Sequence, residues 1–438
     1  VSKQRKIGWI VVWSILAGFL LATVLSMGVF AGGTEPVITG SLMLGFAAGW
    51  SMLAALSDRY TNQPQKWAYV PAAYMSLVGL FLLLVRPGNG VIRTLGWVWP
   101  FLVAGLVVWM YLQVRKQLHS RTRYWVIYPV LAVLALGAVG GIFEKVHEQN
   151  NKLTLQGQLV DVGGYRFHIQ CIGSGSPTVV LEAGLGEPSS IMSAWIAPTV
   201  AKQTRVCVYD REGRGWSEES PQPLNGDQTA EALHNLLIRA HISGPFVVAG
   251  HSAGGIYTLN YAKKYPSQVE GVALIDSMTP YQYERISGWS GFYELFRRAS
   301  ALVPTLMRTG IGRLVYSSAY SDIPSPSKDQ ERNFWGSPEL WRSQRDEFSV
   351  IRTSLRQAQE LKTLGNKPLY VISGQKGEQD GWGTAQDQMA KLSMNSIHQT
   401  VTGATHQSLV EEQKYAAKSA HAILQVVSAV RTGNQLTK

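Results

Sequence analysis

Five long stretches near the start of the chain exclude charge. They run over about 7–31, 37–57, 67–85, 95–112 and 124–143, and none holds an internal Asp, Glu, Lys or Arg. A helix needs about 20 such residues to cross about 30 Å of hydrocarbon at a rise of about 1.5 Å per residue. One core helix of a soluble protein can be this apolar, but five in succession predict an all-α, five-helix transmembrane domain over 1–144. The polar residues inside the stretches include the small hydroxyls Ser14, Thr23, Ser26, Ser41, Ser51 and Ser76. Such residues serve helix-to-helix packing. No ionisable group sits at mid-depth, where transport would want one, so the domain reads as an anchor.

Beyond residue 144 the period changes. Residues 153–162 and 165–172 alternate and are joined by Gly163-Gly164, a hairpin signal. Short runs rich in β-branched residues follow at 178–181, 205–209, 246–249, 272–275, 369–372 and 397–401. Helical spacing fills the gaps at 227–241, 254–265 and 409–430. Strands alternating with helices predict an α/β domain, an eight-stranded and mostly parallel sheet with an antiparallel edge. Its core takes 145–276 and 367–438. The ninety-odd residues between, 277–366, break the rhythm, with helical pieces at 291–302 and 339–361 split by Pro304, Pro324 and Pro326. An interval this long is seldom plain loop, so it reads as a helical cap.

Charge adds orientation. The net charge is +11 and charged residues make up 16%. Residues 1–144 hold eleven Lys/Arg but only Glu35, Asp58 and Glu144 as acids. Lys3, Arg5, Lys6, Arg59, Lys66, Arg115, Lys116, Arg121 and Arg123 fall on one side of the five spans, and only Arg86 and Arg93 on the other. Positive residues favour the cytoplasm, so the N-terminus lies inside and the chain after 143 lies outside the cell membrane. A cleaved signal in place of the first span would leave the same topology. This distribution argues for membrane lipids and against nucleic acid as partners. Two cysteines exclude a disulfide scaffold and a cysteine-built metal site.

The chemistry concentrates in Gly250-His251-Ser252-Ala253-Gly254, which sits between a buried strand and a helix. A serine on so sharp a turn needs neighbours without side chains two before and two after, and the helix N-terminus favours developing negative charge. The hydroxyl also needs a base. Of the nine histidines, His119, His147, His168, His234, His241, His251 and His421 sit in loops, hairpin or helices unsuited to the task. His398 begins the last strand, and His406 follows it in a loop able to reach back over the sheet edge, which makes His406 the candidate base.

These residues, with Val180–Gly186 and Val206–Ser217, resemble the bacterial serine esterase branch of the α/β-hydrolase superfamily over about 153–432. The resemblance implies a cofactor-free acyl hydrolase working through an acyl-enzyme, with an oxyanion hole built from the backbone N–H groups of Leu185 and Ala253. Two departures stand out. Ala183 replaces a more usual His, and Gly377 falls where the acid after the seventh strand is normally found. Asp276, at the end of the sixth strand, is then the first candidate acid, with Asp380 and Glu378 as alternatives. Asp210 and Arg211 read as an ion pair or turn. In this fold the strands holding Cys171 and Cys207 are neighbours, so the two thiols are either bridged or both buried and free.

The expected function is a membrane-anchored serine hydrolase of small-molecule or lipid carboxylic esters. The alternatives are amide or peptide cleavage on the same fold, or a non-catalytic sensor or assembly protein. An apolar stripe in the cap (Trp289, Phe292, Leu295, Phe296) beside Arg297 and Arg298 suits either acidic lipid heads or an ordinary core face.

Overall fold

The computed structural model describes residues 3–150 and 153–437. The side chains of Lys3 and Arg5, counted above for orientation, lie outside the described residues. The described chain forms two compact units. The first takes residues 3–150 together with Leu295–Val315 and Gly336–Pro338, and the second takes the remainder. The insertion expected as one cap over 277–366 is therefore divided between the units.

In the first unit four helices are long and apolar enough to cross a membrane: Lys6–Val29, Glu35–Tyr60, Lys66–Val85 and Arg123–Gln149. The fourth of the five expected spans is instead a pair, Asn89–Leu95 and Trp99–Gln117, bent by 45°. Pro100, the second residue of the latter, has no N–H to donate to a continuous helix, which accounts for the break. The unit's core gathers Val11, Trp50, Leu53, Met110, Val114 and Leu118. Hydroxyls return to their own helix, as Ser26 does to the carbonyl of Ala22 and Ser41 to that of Val37. A methyl group at Gly45 would lie 2.3 Å from the Cα of Ala22, so small residues set the spacing of the first two helices.

The second unit is built on one sheet of eight strands: β1 (Gln158–Asp161), β2 (Arg166–Ile172), β3 (Thr178–Glu182), β4 (Val206–Tyr209), β5 (Phe246–His251), β6 (Val269–Ile275), β7 (Leu369–Gly374) and β8 (Ser396–Val401). The order is β1-β2-β4-β3-β5-β6-β7-β8. β1–β2 and β2–β4 pair antiparallel and every later pair is parallel. β3, β4, β5 and β7 are buried along their whole length, as strands covered on both faces must be. Helix Gly226–Arg239 starts at a capping box between Asn225 and Gln228, and its apolar residues Ala230, Leu233 and Leu237 are buried. The expected first strand begins five residues late. Gly157 has φ +93 and passes so close to β2 that a Cβ there would meet the carbonyl of Ile169 at 2.3 Å. The last expected helix is likewise two, Ser408–Glu411 and Gln413–Thr432, parted where Glu412 is extended.

Cys171 and Cys207 face each other across the β2–β4 pair and are joined as a disulfide.

Candidate active site

Ser252 directly follows β5 and caps helix Ala253–Lys264. Its backbone has φ +54 and ψ −123, a conformation that costs an L-residue roughly 1–3 kcal/mol unless its surroundings impose it. The surroundings are explicit. A Cβ at Gly250 would meet the backbone of Gly254 at 2.4 Å, and one at Gly254 would meet the carbonyl oxygens of Glu182 and Ala183 at 2.5 Å. The turn closes only because both positions lack side chains. The Ser252 carbonyl accepts from the N–H groups of Gly255 and Met278, and the Ser252 N–H donates to Ile275, which pins the corner from both sides.

His406 lies in the turn after β8. Its Nε2 is 3.0 Å from Ser252 Oγ, and its Nδ1 is 2.6 Å from Asp276 Oδ2. A carboxylate only accepts, so Nδ1 carries the proton and Nε2 accepts from the Ser252 hydroxyl. Asp276 directly follows β6, is buried, and has φ +42, a second strained non-glycine residue at the same sheet edge. Its other oxygen, Oδ1, accepts from Trp382 Nε1 at 2.8 Å and from the Gly374 N–H at 3.3 Å. Trp382 also stands edge-on to the His406 ring. Of the three candidate acids, Asp276 is thus the one bonded to His406. Glu378 and Asp380 are exposed in the loop after β7. Partial burial and the negative field of Asp276 raise the pKa of Glu378. His398 is a sheet residue bonded to Ser373 and Asp387.

The loop after β3 is held by carboxylates. Gly184 N–H donates to Glu187 at 2.7 Å, and Gly186 N–H donates to Glu347 at 2.8 Å. Among the described residues no acceptor takes the N–H of Leu185, nor that of Ala253 in the first turn of its helix. These are the two donors that the resemblance assigns to the oxyanion.

Beneath the site lies a buried ionic frame. His251 Nδ1 is 3.2 Å from Glu187 and its Nε2 is 3.2 Å from the carbonyl of His406. Both partners are acceptors, so the doubly protonated ring satisfies both. Burial alone would lower the His251 pKa, but the charge and hydrogen bond of Glu187 reverse this and raise it. Burial pushes Glu187 upward, yet His251 and the Gly184 N–H bring it below the ordinary carboxylate value. Arg211 reaches Glu182 and Glu347 at 3.1 Å each and donates to the carbonyls of Ala183 and Gly184. Asp210 turns away from Arg211 to His168 at 2.8 Å and accepts the Ser189 N–H. Of the two readings for Asp210 and Arg211, ion pair or turn, the ion pair is replaced by separate pairings of each residue, both structural. Glu187, Glu347 and the role of His251 escape a reading of the sequence. Glu182, closing an otherwise apolar strand, is its one visible sign.

A serine on a strand–helix corner, a histidine from the loop after the last strand and a buried aspartate, carried on this sheet, define the α/β class of hydrolases. Residues 177–413 match the family model described as the alpha/beta hydrolase fold, more than half of the chain, and the chain belongs to that family. It is 24% identical over 379 residues to an uncharacterized protein of Schizosaccharomyces pombe, covering 78% of this chain and 68% of that protein. That share exceeds what residues 153–438 make up, so the likeness extends into the apolar helices. It is 29% identical to the uncharacterized protein YbdG of Bacillus subtilis, over 45% of this chain and 61% of YbdG. It is 30% identical over 130 residues to an uncharacterized vacuolar membrane protein of Saccharomyces cerevisiae, covering 26% of this chain and 20% of that one. The chain thus spans less than two thirds of the last two relatives. The Cif epoxide hydrolase of Acinetobacter nosocomialis shares the fold, with a TM-score of 0.53 at 15% identity over 66% of this chain and 96% of that one. The hydrolase fold is thus preceded by helices long and apolar enough to cross a membrane.

Proposed function

We propose that this protein is a membrane-anchored serine hydrolase that cleaves carboxylic esters through an acyl-enzyme. The observation that carries the reading is the unbroken chain of hydrogen bonds from Ser252 Oγ through His406 to Asp276. Ser252 Oγ attacks the acyl carbonyl while His406 Nε2 takes its proton. The Leu185 and Ala253 N–H groups receive the oxyanion, and the helix behind Ser252 adds its positive end. Asp276 fixes the Nδ1–H tautomer and stabilises the imidazolium. His406 then gives the proton to the leaving alcohol. Water, deprotonated by the same ring, releases the acid. A serine at the corner supports this ester chemistry over the aspartate-nucleophile chemistry of epoxide hydrolases.

The Cys171–Cys207 bridge and the positive-residue pattern support an extracytoplasmic hydrolase domain on a cell-membrane anchor, since disulfides persist in oxidising compartments. The deciding experiment is labelling of the full chain with a fluorophosphonate. The enzyme labels once, and the label disappears in Ser252→Ala. Well-folded wild type that stays unlabelled, or a Ser252→Ala variant that still labels, removes the reading and favours a non-catalytic role.

A further inference from the structure

Of the four acids in residues 3–150 (Glu35, Asp58, Glu144 and Glu148), two are answered from far along the chain. Glu35, which opens its helix, is bonded by both forks of Arg308, Nε to Oε1 at 2.8 Å and Nη2 to Oε2 at 3.1 Å. Glu144, near the end of the last apolar helix, meets Arg313 in the same way at 2.8 and 2.7 Å. Both carboxylates are buried. The hydroxyls of Thr39 and Thr305 share a hydrogen bond, and Arg297 donates to the carbonyl of Ala31. A methyl at Gly140 would lie 1.9 Å from the Thr309 carbonyl oxygen, a closeness that only glycine permits. The segment Leu295–Val315 is therefore built into the helical unit. It still leaves Leu295, Leu306, Ile311, Leu314 and Val315 exposed, on a unit whose helices have membrane-crossing length.

Beside this segment the unit holds a half-open cavity of about 350 Å³. Its polar lining comes from helix ends, with Glu35 at a beginning and Lys145 and Glu148 at an end, joined by Arg308 of the segment. Its apolar lining reaches inward to Met43 and Leu134, eight and ten residues from Glu35 and Glu144, which is roughly 12–15 Å along a helix. A charged rim above an apolar shaft matches an amphiphile with one tail. The rim carries cations and anions together, which suits a zwitterionic or ester-bearing head better than a strongly anionic one. The surroundings that such helices require supply this class of molecule.

We propose that this cavity binds one acyl chain of a membrane glycerolipid, with the head at the Arg308–Lys145 rim and the tail along Val103 and Leu134. The proposal rests on the membrane reading of these helices and is independent of the hydrolase chemistry. The test uses the full chain in phosphatidylcholine nanodiscs doped with a phosphatidylcholine bearing a diazirine on one acyl chain. After irradiation, adducts on the peptides holding Val103 and Leu134 exceed those on the exposed Leu77 and Leu84, and unlabelled phosphatidylcholine competes them away. A methyl at Gly137 would stand 4.0 Å from Thr309 with no closer neighbour, so Gly137→Phe sends its ring into the cavity. In Gly137→Phe, and in Leu134→Trp as a second filled variant, cavity adducts fall about tenfold while those on Leu77 and Leu84 persist. Retained fluorophosphonate labelling reports that the hydrolase unit is intact. Adducts confined to the outer faces overturn the proposal, as do cavity adducts unchanged in both variants. Labelling by a diazirine fatty acid that phosphatidylcholine cannot displace overturns the glycerolipid assignment. A protein unlabelled even at Leu77 and Leu84 overturns the membrane reading with it.

Discussion

Replacing Asp276 by Asn tests the site at its most constrained point. The carboxylate is bonded on both oxygens: Oδ2 faces His406 Nδ1 at 2.6 Å, and Oδ1 faces the Trp382 indole and the Gly374 amide, both obligate donors. The asparagine amide has only one oxygen, and the two donors claim it. Turning the amide round would leave those donors against an NH₂ group, a cost of about 1–3 kcal/mol for each buried group left unsatisfied. The NH₂ group therefore faces His406, Nδ1 becomes the acceptor, and the ring proton moves to Nε2. There it points at Ser252 Oγ, and the ring can no longer take the serine's proton. By analogy with other triads, kcat/KM falls by about 10⁴, or about 5.4 kcal/mol at 1.36 kcal/mol per tenfold. The assay is hydrolysis of a soluble short-chain nitrophenyl ester, read alongside the fluorophosphonate labelling rate. In Asp276→Asn/Trp382→Phe one of the two opposing donors is gone, so the amide turns more easily and part of the loss returns. Glu378→Gln and Asp380→Asn change the rate by no more than about threefold, the scale of an exposed substitution away from reacting atoms. If Asp276→Asn stays within tenfold of wild type while Glu378→Gln or Asp380→Asn does not, the triad has been read wrongly.

The other perturbations are simpler. Gly254→Ala forces a methyl against two carbonyl oxygens at 2.5 Å, so it should cost about 3 kcal/mol by denaturant melt and abolish labelling, whereas a soluble, active variant would contradict the elbow geometry. Glu347→Gln removes the anion shared by the Gly186 N–H and Arg211, so it should lower kcat more than it raises KM, and an unchanged kcat would deny Glu347 a part in holding the loop. His251→Asn tests a pH dependence. The raised pKa of His251 contributes stability that is complete below the ordinary imidazole value of about 6.5 and is lost as pH rises through the folded value. The lowered pKa of Glu187 contributes above about 4.3 and is lost as pH falls through its own folded value. The wild-type advantage in Tm over His251→Asn is then largest between those two values and shrinks toward alkaline pH, and an advantage constant from about pH 5 to about pH 9 would sink the ion pair.

Much of the architecture was legible because it follows from periodicity. Eight runs of strand character became eight strands, and Gly250–Gly254 marked the corner because two carbonyls press on it. What escaped depends on contacts between distant residues. Nothing near residue 96 says that the fourth apolar run bends, apart from Pro100. Asp276 could be ranked by its place at the end of a strand, but the choice over Glu378 and Asp380 needed the direction of its two oxygens. His251 lies inside the Gly250–Gly254 corner, where the sequence gives it no task of its own. Its neighbour Glu187 lies 64 residues earlier in sequence, and a pairing of that kind leaves no local pattern. Glu35 and Glu144 stand out in the sequence only as rare acids, and nothing local marks Arg308 and Arg313, more than 160 residues further on, as their partners.

Those partners change how the insertion should be understood. A cap built only to shape a substrate pocket would spend its charged residues on its own core or on solvent. Here one part of the insertion, helix Pro338–Ala358, sends Glu347 to the Gly186 N–H and to Arg211 in the hydrolase unit. Another part, Leu295–Val315, sends Arg308 and Arg313 to the buried acids of the helical unit. Breaking either kind of pair strands a buried charge, which costs about 3–5 kcal/mol, far more than an exposed pair contributes. Neither unit therefore completes its own polar interior from its own contiguous stretch of chain. Deleting the apolar helices would uncover Arg308 and Arg313 without their acids, and trimming the insertion would leave Glu35 and Glu144 buried and unanswered. The helices are part of what folds Leu295–Val315, and a tether that merely held a self-sufficient domain at a surface would need no such exchange.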